Sequence, residues 1–135
     1  MDWKLTTDYL RCSPKFHGHE RRDCVLIRTL DRNGADKHIF ARLMFMFRFR
    51  LGERSLDLAL VLPMDAPTGN RRRTDQDLGF TRVRSRSLAQ SEFIPLESVV
   101  RGALLVPDFD SRHDDFFVVD YIDHDMFLRI KQLNL

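Results

Sequence analysis

Near the start of the chain, two cysteines and two histidines stand as Cys12, His17, His19 and Cys24, with the spacing Cys-x4-His-x-His-x4-Cys. All four residue types bind zinc, and two thiolates with two imidazoles would fill a closed tetrahedral site. The run lacks the Cys-x-x-Cys knuckle of zinc fingers. Cys24 also opens an apolar stretch, where a buried structural thiol is common. These four are therefore metal candidates set against a plain reading as core and surface residues, and no resident cofactor is expected.

A second group is cationic. Arg71, Arg72 and Arg73 are consecutive, and Arg82, Arg84 and Arg86 alternate. Against Asp75 and Asp77, the six give the segment 71–86 a net charge of +4. Alternating residues of a strand point to one side, and guanidinium groups grip phosphates bidentately. The six are the candidate nucleic-acid-binding residues, and DNA or a nucleosome is the candidate partner. The competing reading is a charged edge that blunts aggregation.

A third group is acidic. Seven Asp and one Arg between Asp108 and Asp125 carry a net of −6, so the rest of the chain carries +8 of the overall +2. Asp110, Asp114, Asp115, Asp123 and Asp125 are the candidates for holding a basic partner such as a histone tail. Alternatively, the acidic loops neighbour the basic segment and neutralise it. With His113 and His124, the same cluster offers a third function, a metal-dependent phosphoesterase that would use Asp120. Trp3, Tyr9 and Tyr121 could wall a methyl-lysine cage. No Gly-x-Ser-x-Gly elbow and no glycine-rich phosphate loop occur. An enzyme is not expected.

The elements that must position these residues read as strands. Phe40–Leu51 (FARLMFMFRFRL) has period two, with Ala41, Leu43, Phe45, Phe47, Phe49 and Leu51 on one face, expected in the core, and Arg42, Arg48 and Arg50 on the other. Cys24–Leu30 precedes it across Asp31-Arg32-Asn33-Gly34, a hairpin signal. Ser55–Leu62 alternates, placing Leu56, Leu58, Leu60 and Leu62 together, and Pro63 is expected to end it. Residues 67–76 read as a polar loop and Gly79–Arg84 as a strand. Phe93–Val100 reads as a short helical turn entering a strand. Ala103–Val106 and Phe116–Ile122 read as strands, and 125–133 has helical spacing. About six short strands with turn chemistry between them make a mainly β protein, a small barrel or rolled antiparallel sheet of one domain over 21–135 with a loose arm at 1–20. The chain's 135 residues suffice for one core. Two cysteines do not make a disulfide framework, and no apolar run is long enough to span a bilayer. A reducing compartment follows, nuclear or cytoplasmic.

Several stretches together resemble a late region of fungal transposase-like proteins of the Plavaka type, found in mushrooms and their relatives. They are His17–Ile27, Ile39–Leu43, Leu56–Val61, Phe93–Val106 and Val119–Arg129. The order of elements also resembles a BAH domain, a chromatin-associated β-barrel module: a strand like FARLMFMF with its partner, then a segment like PLESVVRGALLV, then a strand like FFVVDYID. The resemblance implies a non-enzymatic accessory or domesticated module acting on chromatin or DNA in the nucleus. The second function class is a protein–protein or homo-oligomerisation domain, with the Phe-rich strands extended across an interface.

Overall fold

The computed structural model describes residues 10–16 and 19–119. Among them, besides 3₁₀ turns at Leu88–Gln90 and Leu96–Ser98, ten strands and one short α-helix follow in order: β1 Cys12–Phe16, β2 His19–Arg22, β3 Cys24–Leu30, β4 Asp36–Leu51, β5 Arg54–Asp65, α1 Arg73–Leu78, β6 Thr81–Ser85, β7 Glu92–Pro95, β8 Val99–Ala103, β9 Leu105–Pro107 and β10 Asp115–Val118. The mainly β, antiparallel single domain expected from the sequence is what forms. The segment 125–133, with its helical spacing, lies outside the described residues.

The large sheet runs β8-β3-β4-β5-β6-β10-β9, with β7 also on β5. Its two outer strands, β8 and β9, are consecutive in the chain and joined through Leu104 alone. The sheet therefore curls until its edges meet at one corner residue, whose carbonyl accepts the Val119 N–H at 3.0 Å. The edges do not pair, so the result is an open roll and not a closed barrel. Inside it lie Leu26, Phe40, Met64, Val83, Phe116 and Val118, with Cys24, Ala103 and Leu105 packed against them. Outside it a second cluster gathers Val25, Ile27, Ala41, Leu43, Ala59 and Val61 under Leu10, Cys12, Ile94 and Leu96. Strands β3, β4 and β5 are thus buried on both faces in their central stretches. Burying each large apolar side chain contributes about 1.5–3 kcal/mol before entropy costs.

The β3–β4 turn forms where Asn-Gly stands. Gly34 takes φ 77°, and the Asp31 carboxylate accepts the N–H groups of Asn33 and Ala35 at 2.8 and 2.9 Å. Four expectations are corrected. The arm 1–20, expected to be irregular, contains β1 and the start of β2, which pair with each other. Residues 67–76, expected to be a loop throughout, turn at 73 into α1, which runs to Leu78. Pro63 does not end β5, which runs on to Asp65. Its carbonyl accepts the Arg86 N–H at 3.0 Å, which places its missing donor at the gap between β7, paired to 58–61, and β6, paired to 64–65. A proline is tolerated there because the ladder asks nothing of its nitrogen.

The fourth correction concerns β4. Leu43 pairs with Val61 and Phe45 with Leu60, so Met44 is an extra, bulged residue. A bulge shifts the strand by one residue and exchanges its faces. Ala41 and Leu43 are buried in the outer cluster, whereas Phe45 and Phe49 are 54% and 46% exposed. Arg42, expected to be wet, sits half-buried with its guanidinium 5.0 Å from the Phe116 ring.

Candidate functional site

The two halves of the charge pattern meet on the sheet. In β6 and β10, Arg84 is directly opposite Asp115, and Arg82 opposite Phe117. The Arg82 guanidinium reaches three carboxylates: Asp75 at 2.8 Å, Asp108 at 2.6 Å and Asp115 at 3.0 Å. It lies 4.5 Å from the Phe117 ring. Arg84 binds Asp115 at 2.6 Å, and the Ser111 hydroxyl donates to Asp115 at 3.0 Å. Arg86 binds Asp65 at 2.7 Å. The side chain of Asp115 is fully buried and that of Arg82 only 8% exposed.

The electrostatics follow from these contacts. The Arg84 hydrogen bond, helped by Ser111 and Arg82, holds the Asp115 carboxyl down to about 2 against the opposing effect of burial. Asp108 is likewise lowered, chiefly by Arg82. Arg82 is raised, chiefly by Asp75. Asp108 and Asp115 of the acidic stretch therefore neighbour the basic strand and neutralise Arg82 and Arg84, while Asp110 and Asp114 stay exposed. The network ties α1, β6, the 108–114 loop and β10 into one piece.

The three Arg of the preceding segment are placed differently. Arg71, Arg72 and Arg73 are exposed. Arg71 donates to the carbonyl of Phe80, and Arg73 faces Asp77 at 3.9 Å in open solvent. With Pro67, Thr68, Asn70 and Thr81, Arg71 and Arg72 line a cavity of about 250 Å³. Asp110 and Asp114 are exposed on the 108–114 loop. Asp120, Asp123, His124 and Asp125 lie outside the described residues, as do Trp3, Tyr9, Tyr121, His17 and the side chain of His19.

The two cysteines are not brought together. Cys24 packs against the cluster inside the roll and Cys12 against the cluster outside it. Burial pushes the Cys24 thiol up, away from the thiolate a metal requires. Among the described residues no group of three His, Cys, Asp or Glu could hold an ion.

The Phe-rich face of β4, assigned to the core by the sequence pattern, is in large part exposed. β6 and β10, which cover the inner face, are five and four residues long, whereas β4 has sixteen and β5 twelve. The inner face of β4 and β5 thus runs out past the mouth of the roll. On this ribbon Phe45 pairs with Leu60, Phe47 with Leu58 and Phe49 with Leu56. β7 widens it, setting Phe93 beside Leu60 and Pro95 beside Leu58. Phe47 stacks on Phe45 at 5.6 Å between ring centroids and meets Phe93 edge-on at 5.9 Å. Phe45, Phe49, Leu51, Leu56 and Phe93 are 46–67% exposed. The opposite face of the ribbon is polar toward its tip, with Arg48 bound to Asp57 at 2.8 Å. One signal was present in the sequence: the apolar alternation continues in both strands up to the Gly52 turn, farther than one small core can reach.

Compared with family models, with curated proteins and with solved structures, the chain matches none.

Proposed function

We propose that the protein is a non-enzymatic interaction module that binds other protein surfaces through the inner face of the β4–β5 ribbon and β7. The observation that carries this reading is the three-strand platform of Phe45, Phe47, Phe49, Leu56, Leu58, Leu60 and Phe93, of which Phe45, Phe49, Leu56 and Phe93 stay 46–67% exposed. Contiguous apolar patches of this kind mark interaction sites, because a soluble surface does not otherwise keep them. Exposed Phe supplies large contact area with few rotamers to freeze. Hydroxyl-radical footprinting of dilute full-length protein tests it. Phe45, Phe49, Leu56 and Phe93 should oxidise at the rates of exposed side chains. Protection of all four at dilutions where the chain is alone would mean that the chain covers its own ribbon, and the reading would fail.

A second reading, contact with DNA on chromatin, is favoured by one observation: Arg71, Arg72 and Arg73 are exposed together beside a cavity. Arg82, Arg84 and Arg86 are occupied by carboxylates, so the grip would fall to the first three. Duplex DNA binding that weakens as salt rises and is lost in the triple Ala variant of those three would support it.

A further inference from the structure

The partner that fits the ribbon face best is a second copy of this chain. We infer that two molecules pack ribbon face to ribbon face about a two-fold axis near Phe47 and Leu58, with the ribbons antiparallel. The inference rests on the interaction reading above and gives its site one occupant.

Three observations lead there. The face is apolar and uncharged over its length: Phe45, Phe47 and Phe49 on β4, and Leu56, Leu58 and Leu60 on β5, with no acid or base among them. Among the described residues such a face offers no charge by which to select a nucleic acid or a charged peptide, but an identical face complements it. The area approaches that of a stable interface. Five half-exposed Phe and Leu, counting Leu51, leave roughly 100 Å² each outside, so about 500 Å² per copy before the half-buried Phe47, Leu58 and Leu60, the backbone and the rim. A standard interface uses about 800 Å² per partner. The roll itself sets the direction. At the inner end of the ribbon, Val83, Phe116 and Val118 rise over this same face. A partner ribbon laid parallel would drive its own roll into them, whereas an antiparallel one carries its roll beyond the Gly52 turn. Phe45 of each copy then lies over Phe49 of the other, in the way isologous interfaces repeat each contact twice.

Sedimentation equilibrium of the full chain from low to high micromolar concentration tests this, with footprinting along the same series. A monomer–dimer equilibrium is expected, with protection of Phe45, Phe49, Leu56 and Phe93 rising in step with the dimer. Phe49→Asp should raise the dissociation constant on the order of 100-fold, because two charges enter the apolar seam. Phe49→Leu should keep the dimer within about tenfold, which separates loss of contact from loss of fold. A monomer throughout with the four side chains still oxidised would overturn the second copy and leave the interaction reading standing. A monomer with them protected would overturn both. A dimer indifferent to Phe49→Asp would place the contact elsewhere and overturn the inference.

Discussion

Leu43 and Phe45 are two residues apart in one strand and face opposite sides of the sheet. Leu43 is fully buried and Phe45 54% exposed. The Met44 bulge between them turns a core strand into a strand with an outward-facing aromatic edge, and the Met44 carbonyl is held by the Arg22 guanidinium at 2.7 Å.

Asp115 is the hinge of the charged network, so Asp115→Asn should be costly. It leaves the buried Arg82 and the one-third exposed Arg84 short of an anion. Removing one partner of a buried pair costs about 3–5 kcal/mol. Urea unfolding should show a loss of about 3 kcal/mol with an unchanged m-value. A loss below about 1 kcal/mol would mean that the network is a surface ornament of little energetic weight.

Stability should also fall on acidification, through the same residue. The Asp115 carboxyl sits at about 2 in the folded protein against an ordinary 3.8. Its folded value is depressed, so the stabilisation is complete above about pH 4 and disappears as pH falls through 2. Asp108 and Asp65, lowered by Arg82 and Arg86, act in the same direction. For Asp115 the change is about 2 kcal/mol. Unfolding midpoints measured across this pH range should show it, and should show less in Asp115→Asn. Equal slopes in the two proteins would refute the assignment.

The arginines should separate into two kinds. Arg71→Ala, Arg72→Ala and Arg73→Ala together should leave the unfolding midpoint within about 0.5 kcal/mol, as exposed substitutions do. They should weaken any DNA binding and flatten its salt dependence. Arg82→Ala should instead destabilise by about 3 kcal/mol or more, because Asp75 and Asp108 lose the arginine they bind and Asp115 keeps only Arg84. If Arg82→Ala left stability intact and abolished DNA binding, Arg82 would belong to the interface and not to the fold.

Most of the fold was legible in the sequence. The strands from Cys24 to Leu62 follow period two and the Asn33-Gly34 turn, and β5 keeps Leu56, Leu58, Leu60 and Leu62 on one face as the alternation requires. What was not legible depends on distance in space. A bulge leaves no mark in FARLMFMFRFRL, since Met44 is as apolar as its neighbours. The gap that admits Pro63 exists only because β7 and β6 arrive on the same edge of β5. The candidate site was legible in residue types and not in roles. Arg82 and Arg84 do share a face, but the sequence could not say that Asp75, Asp108 and Asp115 meet them there. Nor could it say where the core ends along β4, because that is set by the shortness of β6 and β10.

The most direct measurement compares Phe49→Ala with Phe40→Ala in urea unfolding at protein concentrations low enough to keep the chain monomeric. Phe40 fills the inside of the roll and Phe49 stands on the ribbon beyond it. Phe40→Ala should cost about 3–5 kcal/mol, as core Phe truncations do, and Phe49→Ala less than about 1 kcal/mol. That outcome makes the ribbon face a surface kept for something other than folding. Equal losses of about 3 kcal/mol or more would put Phe49 in the core and contradict the account.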